Sequence, residues 1–326
     1  VLMMLQYGAT GTTLRELSMA LCDKTQPCEN AAPNTHKDYI AANAVWVQEG
    51  LVLNPQYRSD IEKKFQGDIE SVNFQKNSDL AVEQINAWAK KNTKGMITEV
   101  LKSSDINSGT AMVLANALYF QGFWPTQFDT QKTMDQEFTL LNGQKKNVPT
   151  MTKEDQYFVA NINHTQLIGL PYRDSDLEML VLMPENPKKF KVFVQSLTTK
   201  TINALVAAQA STKATLYLPK FSIESSYNDL TPNLQALGIH KVFTPQAELS
   251  KITDKKSIYL SKVLQKAIIQ VDEKGTKAAA VTTGVMMRAV MMQPTILRVD
   301  RPFVFAIYDQ KTHQFPFIGQ VVNPRV

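Results

Sequence analysis

The chain has 326 residues, of which 44% are hydrophobic and 20% charged, and its net charge is +5. These proportions are ordinary for a soluble globular protein, and the length fits one mixed domain or two average ones. The lysine pairs are scattered along the chain, which argues against a nucleic-acid-binding stripe, and no apolar run approaches the length of a membrane span.

The N-terminal region predicts two helices. Val1–Tyr7 is an apolar, helix-like run with no capping residue before it, and Gly8 and Gly11 end it. The segment Thr13-Leu14-Arg15-Glu16 fits a capping box and therefore predicts that a second helix starts there.

Two cysteines, Cys22 and Cys28, lie close together in a polar stretch. They either form a short disulfide clip, which would add little stability, or remain free thiols. The pair is too sparse for a metal site, and the nearby His36 does not change that. We therefore expect neither a metal nor another cofactor.

The middle of the chain alternates between helix and strand patterns. Asn54-Pro55 is a capping residue followed by proline at the first helical position, and it predicts a helix to about Phe65. Ser78 is expected to cap another helix, whose apolar face extends to Asn92. Alternating or continuous apolar patterns predict strands over Ala41–Val47, Thr110–Phe120, Leu177–Met183 and Ala214–Pro219.

Turn signals separate these elements. Asn142-Gly143 between short strands predicts a hairpin, and Thr231-Pro232 to Leu237, stopped by Gly238, predicts a short capped helix. Helices concentrate early and strands late, which indicates the α+β class rather than repeating βαβ units. Without repeats or linkers, residues 1–326 are expected to form a single domain.

Asn163-His164-Thr165 is a glycosylation sequon, informative only in a secreted chain.

The stretch Asp272–Pro294, DEKGTKAAAVTTGVMMRAVMMQP, has the composition of a spare strand. Valines and threonines favour a strand, the alanines leave little bulk, and Arg288 is the one ionisable side chain between Ala278 and Leu297. Strand patterns flank it at Ala267–Val271 and Thr295–Val299, so it connects two strands as a long loop, which is usually functional.

Two other interpretations fit parts of this stretch. Lys277–Ala280 has the composition of a helix start, but Val281 to Gly284 argue against its continuation. An exposed aggregation-prone segment would have a similar composition. Neither accounts for a lone arginine far from both flanking strands.

Several segments resemble the serpin family. VDEKGTKAAAVTT resembles the hinge of inhibitory serpins, and RPFVFAIYD and FIGQVVNP resemble the family's C-terminal signature. MLQYGATGTTLREL and LANALYFQGFWPTQFD resemble further serpin segments, so the resemblance covers essentially the whole chain. It implies the serpin fold: a large mixed or antiparallel main sheet with surrounding helices, further sheets and an exposed reactive loop. It also implies that the first helix and the start of the second precede Val1.

The resemblance assigns two sets of site residues. The hinge consists of Glu273, Gly275, Thr276, Ala278, Ala279, Ala280, Val281 and Thr282. The sheet-opening region contains Asn116, Trp124 and Gln265, and many serpins have histidine at the position of Gln265. Glutamine keeps the hydrogen bonds but cannot titrate, so pH sensitivity at this position is not expected.

In inhibitory serpins the cleaved reactive loop inserts into the main sheet as a strand. The alternation of side chains along the hinge indicates whether this segment is suited to that insertion. In a strand, Thr276, Ala278, Ala280, Thr282 and Gly284 would share one face, which is small and uncharged. Lys277 would fall on the opposite face, where it can reach water. This pattern favours an inhibitor, because non-inhibitory serpins often carry bulky, charged or proline residues in the hinge.

The reactive bond is expected at Arg288–Ala289, which suits a trypsin-like protease. Counting from Gly275 by the commonest family spacing instead places the bond after Ala289. The loop methionines would suit chymotrypsin-like or elastase-like proteases; they are Met286, Met287, Met291 and Met292.

The expected function is therefore suicide-substrate inhibition, in which the cleaved loop inserts as a strand and traps the acyl-enzyme. The alternative is a non-inhibitory carrier or chaperone. An enzyme is not expected, because the sequence contains no G-x-S-x-G, H-E-x-x-H or P-loop motif and its histidines are scattered.

The expected partner is a target serine protease, held covalently by a metastable monomer. No nucleic-acid or membrane partner is expected, and the scattered basic residues make a weak case for a polysaccharide activator. A secreted, glycosylated protein is the expectation. An intracellular location stays open because the first residues of the fold are missing.

Overall fold

The computed structural model describes residues 1–22, 35–227, 229–254, 258–275 and 295–325. The chain divides into two compact units. Unit 1 contains Val1–Phe120 and Glu224–Ile268, and unit 2 contains Gln121–Ile223 and Ile269–Val326. Both units combine strands and helices, which confirms the predicted α+β class.

Unit 1 combines helices with most of a six-stranded sheet. Its helices are α1 (Leu2–Gly8), α2 (Gly11–Cys22), α3 (Pro55–Phe65), α4 (Ser78–Asn92) and α7 (Thr231–Ala236). The sheet contains β1 (Thr35–His36), β2 (Tyr39–Gln48), β3 (Asp68–Val72), β4 (Met112–Phe120), β10 (Phe221–Tyr227) and β11 (Lys262–Val271). The strand order is β1-β2-β4-β11-β10, and β3 pairs with β2.

The central strands of this sheet are buried on both faces, which explains their nearly continuous apolar sequences. On β2, Val45 and Val47 belong to a core that includes residues of α1, α2 and α3. The alternate residues Ala44 and Trp46 belong to a second core that includes residues of α4. The period of two along each strand thus divides its side chains between two helical layers.

Unit 2 is built around an eight-stranded sheet. Its strand order is β12-β9-β6-β7-β8-β13-β14, and β5 pairs with β6. The strands are β5 (Met134–Thr139), β6 (Lys145–Ile162), β7 (Thr165–Pro171), β8 (Leu177–Pro184), β9 (Ala210–Pro219), β12 (Thr295–Arg298), β13 (Phe303–Asp309) and β14 (Phe317–Val321). Helices α5 (Phe190–Ser196) and α6 (Thr199–Ala207) pack against it and bury a separate core.

Two helix starts differ from the prediction. Helix α4 is capped by Asn77, whose side chain accepts from the Leu80 N–H at 3.3 Å, one residue before the predicted cap. Helix α2 begins at Gly11, so Thr13 lies inside the helix and not at the cap of the predicted capping box. Glu248 instead accepts from the N–H groups of Thr12 and Thr13 at 2.6 and 3.1 Å.

Glu16, the other predicted member of that box, also has a distant partner. Its carboxylate accepts from the backbone N–H groups of His240 and Lys241 at 2.8 and 2.7 Å. The cap of α2 is therefore made between segments far apart in sequence. Among the described residues, no helix has the length and apolarity needed to cross a bilayer.

Candidate functional site

The described part of the predicted hinge forms a tight turn directly after β11. The Asp272 N–H donates to the Gly275 carbonyl at 3.0 Å, and the Gly275 N–H donates to the Asp272 carbonyl at 3.2 Å. The Lys274 N–H donates to Asp272 Oδ1 at 2.9 Å. We call residues Asp272–Gly275 the hinge turn. It reverses the chain at the end of β11.

Glycine is required at the end of the hinge turn. Gly275 has a φ of +118°, which L side chains rarely adopt. A Cβ there would clash with the Gly122 carbonyl oxygen and would lie 2.6 Å from Phe123 Cα. Gly275 also forms an isolated antiparallel bridge with Phe123. The backbone of the hinge turn therefore lies directly against the segment that follows β4.

Glu273 fixes the hinge turn to unit 2 through its side chain, which is only 8% exposed. Its carboxylate forms an ion pair with Lys220 Nζ at 2.9 Å and accepts from Thr133 Oγ1 at 2.7 Å. Burial acts to raise the pKa of Glu273, but the Lys220 ammonium and the Thr133 hydroxyl outweigh it and lower the pKa below its ordinary value. The ionised carboxylate is therefore the stable form in this site.

Trp124 holds the backbone on the other side of the hinge turn. Its indole N–H donates to the Asp272 carbonyl at 3.0 Å, and its backbone N–H donates to the Lys274 carbonyl at 3.2 Å. The buried ring stacks on Tyr172, with ring centroids 4.9 Å apart. The indole thus combines apolar packing with one hydrogen bond that positions the turn.

The two other residues of the predicted sheet-opening region lie together in unit 1. Gln265 Nε2 on β11 donates to Asn116 Oδ1 on β4 at 3.1 Å. Asn116 Nδ2 in turn donates to Asn43 Oδ1 on β2 at 2.8 Å. These three side chains, which we call the amide row, cross three neighbouring strands. Asn116 is in register with both Asn43 and Gln265.

The three predicted residues belong to two units. Asn116 and Gln265 contact each other in unit 1, whereas Trp124 contacts the hinge turn in unit 2. Of the predicted hinge, Glu273 and Gly275 are described. The remaining hinge residues and Arg288–Ala289 lie outside the described residues.

Sequence reasoning missed several residues of these sites. Lys220 and Thr133 carry no local signal, because each is an ordinary polar residue near the end of a strand or turn. Asn43 did carry a signal: Ala-Asn-Ala occurs at 42–44 and again at 115–117, and the two triplets pair in register. An asparagine inside an otherwise apolar strand requires a hydrogen-bonding partner.

Two further predicted features fall in or near the described residues. Asn163 is exposed in the turn between β6 and β7, with a φ of +49°. Its glycosylation stays a prediction. Cys22 is disulfide-bonded rather than a free thiol, and Cys28 lies outside the described residues.

Strands β4 and β11 form a direct parallel pair. Lys262–Ile268 aligns with Val113–Tyr119, and the amide row crosses the middle of this ladder. A hinge turn after β11, next to a parallel pair of strands, is the arrangement in which a returning strand has a defined place.

A sequence model of the family described as serpin (serine protease inhibitor) matches residues 1–324. The chain belongs to the serpin family. This serpin is 35% identical to glia-derived nexin of Rattus norvegicus over 342 residues, covering 99% of this chain and 85% of that protein. It is 30% identical to leukocyte elastase inhibitor of Sus scrofa over 341 residues, covering 99% and 90%. The family model is described as a serine protease inhibitor, and the Sus scrofa relative is named as an elastase inhibitor, which indicates an inhibitor family rather than an enzyme family.

Solved structures confirm the predicted serpin fold. Native protease nexin-1 crystallised with heparin matches with a TM-score of 0.88 at 29% identity, covering 99% of this chain and 90% of that one. Thyroxine-binding globulin in complex with thyroxine matches with a TM-score of 0.86 at 25% identity, covering 99% and 89%. Of these two proteins with the same fold, one is named for a protease and the other is named for a small ligand.

Proposed function

We propose that this serpin is a suicide-substrate inhibitor of a trypsin-like serine protease. The protease serine attacks the carbonyl carbon of Arg288, the bond to Ala289 breaks, and the new amine of Ala289 leaves. Arg288 then remains bound to the protease as an acyl ester. Insertion of the cleaved loop removes this ester from the geometry that water needs for deacylation.

The observation that supports insertion is the parallel β4–β11 pair joined to the hinge turn. A segment returning from Gly275 between these strands would run antiparallel to both. One parallel ladder would then be replaced by two antiparallel ladders, which are slightly more stable per residue. In that position the backbone N–H and C=O groups of the inserted segment would face a neighbouring strand on each side.

Insertion also requires the amide row to separate. The hydrogen bond from Gln265 to Asn116 crosses the gap that a new strand would fill, whereas Asn116 also donates to Asn43 at 2.8 Å. Opening therefore breaks one side-chain contact and leaves Asn116 partnered on β2. A single neutral hydrogen bond contributes about 1 kcal/mol. The amide row therefore adds only a small free-energy cost to the separation of β4 from β11.

Formation of a covalent complex tests this proposal. Incubation with trypsin should give a complex that survives denaturing electrophoresis, and Arg288→Ala should abolish it. Met287→Ala is the matched control, because it changes the neighbouring side chain and keeps the arginine. If Arg288→Ala forms the complex as well as the unchanged protein does, the reactive bond lies after Ala289 or at a methionine.

The second candidate function is that of a carrier. It is favoured by the similarity to thyroxine-binding globulin, whose structure contains thyroxine. A carrier would be cut by proteases without forming a covalent complex with any of them. The hinge favours the inhibitor, because Thr276, Ala278 and Ala280 are small and uncharged at the positions that would enter the sheet.

A polysaccharide and secretion are accessory proposals. Protease nexin-1 was crystallised with heparin, so heparin should be included in the inhibition assay, although the lysine pairs of this chain are scattered. Faster complex formation with heparin would add a polysaccharide partner.

Secretion and glycan attachment at Asn163 are tested by expressing the complete protein in animal cells and treating the medium with a glycosidase.

A further inference from the structure

An open cavity of about 380 Å³ lies in unit 1, between α4 and β3. This volume is within the range of small-molecule sites. Helix α4 contributes five lining residues at a spacing that places them on one helix face; they are Gln84, Ala87, Trp88, Lys91 and Asn92. No described residue of the hinge turn or amide row lines this cavity.

Two tryptophans form the aromatic wall of the cavity. Trp46 on β2 and Trp88 on α4 are both buried, and their rings pack edge to face with centroids 6.2 Å apart. Trp88 Nε1 donates to Asp68 Oδ2 at 2.6 Å. A hydrogen bond to a carboxylate is stronger than one between neutral groups, so it fixes the orientation of the Trp88 ring.

Opposite charges face this cavity without pairing. Asp68 and Glu70 lie on the same face of β3 because side chains alternate along a strand, and Glu70 is in register with Trp46. Glu70 and Lys91 both line the cavity. Both residues are exposed, and within the described part of the chain neither side chain forms an ion pair or a hydrogen bond. A charged strand edge also discourages sheet-to-sheet pairing, but that role would not explain Lys91 or the cavity.

We propose that this cavity binds a small zwitterion, namely an amino acid with an aromatic or large apolar side chain. The ligand's ammonium group contacts Glu70, and Asp68 adds negative charge on the same side. Its carboxylate contacts Lys91, and its side chain packs against the indole rings of Trp46 and Trp88. Each unpaired charge of the cavity thereby gains a charge-assisted partner, and the apolar part gains an aromatic surface.

Calorimetric titration of the full-length protein with L-phenylalanine tests the proposal. Saturable binding at one site is expected, and Glu70→Gln and Lys91→Gln should each weaken it by at least about tenfold, or 1.4 kcal/mol. Glu83→Gln and Lys90→Gln are matched controls, because both positions are exposed on α4 and do not line the cavity. Binding to these controls should be unchanged.

Two analogues separate the ligand classes. Phenethylamine lacks the carboxylate and N-acetyl-phenylalanine lacks the ammonium group, so each should bind at least about tenfold more weakly than phenylalanine. Equal binding of phenethylamine would overturn the zwitterion assignment in favour of a simple cation site. Absence of binding at millimolar phenylalanine, or binding that neither cavity substitution weakens, would overturn the site itself.

Discussion

At the residue scale, the ion pair between Glu273 and Lys220 decides how firmly the hinge turn is held. The carboxylate is 8% exposed and the lysine side chain 22% exposed, and their atoms are 2.9 Å apart. An exposed pair in the same unit, Lys213 with Glu154, has side chains 63% and 53% exposed. Exposed pairs contribute little to stability, whereas a buried carboxylate left without its cation is costly.

We therefore expect Lys220→Met to destabilise the protein by about 2 kcal/mol at neutral pH. Lys213→Met, the matched surface control, should change the free energy of unfolding by less than about 0.5 kcal/mol. Urea denaturation of the intact protein and both variants measures this. An equal effect of the two substitutions would contradict the anchoring role of Glu273.

The same pair predicts a pH dependence with a definite sign. The pKa of Glu273 is lowered in the folded protein, so its contribution is present above the ordinary value and is lost as the pH falls through the folded one. The stability difference between the unchanged protein and Lys220→Met should therefore shrink below about pH 4. Denaturation curves at pH 7 and pH 3.5 test this, and a constant difference would contradict it.

Glu178 on β8 behaves in the opposite way. It is fully buried, and burial raises its pKa, although hydrogen bonds from Gln310 and Gln209 at 3.1 and 3.2 Å oppose the shift. An acid with a raised folded pKa favours the neutral form. The contribution of Glu178 to stability is therefore fully present below its ordinary pKa and is lost as the pH rises toward the folded one.

We expect Glu178→Gln to remove this loss and to stabilise the protein at pH 7 on the order of 1 kcal/mol. The amides of Gln209 and Gln310 can rotate to accept from the new side chain. Glu83→Gln, an exposed position on α4, is the control and should leave the pH profile unchanged. A Glu178→Gln profile between pH 4.5 and 7 that parallels the unchanged protein would refute the assignment.

At the element scale, local sequence predicted most helices and strands. Helix α3 begins at Pro55, capped by the Asn54 side chain as predicted, and β4 spans Met112–Phe120 within the predicted range. These elements follow rules that act over a few residues. The cap of α2 could not be predicted, because Glu248 supplies it from another part of the chain.

The site residues divide in the same way. Gly275 and Glu273 were predicted because the hinge is a contiguous segment with a serpin resemblance, whereas Lys220 contacts Glu273 only through tertiary structure. Asn116 was found by resemblance, and its partner Asn43 was visible in the repeated Ala-Asn-Ala triplet. The resemblance thus pointed to one residue of each contact, and the fold supplied its partner.

The alternation of the hinge is the prediction that belongs to this scale. Ala280→Glu should convert the inhibitor into a substrate, because a charge would enter the core without a partner at a cost of several kcal/mol. Lys277→Glu, on the opposite face, should change little. Gel analysis of the ratio of covalent complex to cleaved serpin measures this partition, and equal damage from both substitutions would refute the alternation.

At the scale of the whole molecule, we propose that both units form one serpin domain. Each unit consists of two separate chain segments, so neither is continuous in sequence. The family model also matches residues 1–324 without a break. A single cooperative unfolding transition is therefore expected for this serpin.

We propose that the intact protein is metastable. If residues 276–285 insert after cleavage, one additional ladder of backbone hydrogen bonds forms, at about 1 kcal/mol each. The gain would be on the order of 10 kcal/mol, comparable to the whole stability of an ordinary domain. Strands β4 and β11 pair directly, so an inserted strand would have to separate them.

Thermal unfolding of intact and loop-cleaved full-length protein tests this claim most directly. Cleavage confined to Met287–Val290 should raise the Tm by at least about 10 °C, since the inserted strand adds hydrogen bonds and buried area to the core. Ala280→Glu, cleaved in the same loop, should show a much smaller increase. If the cleaved protein melts no higher than the intact one, the loop does not insert and the inhibitory mechanism is wrong.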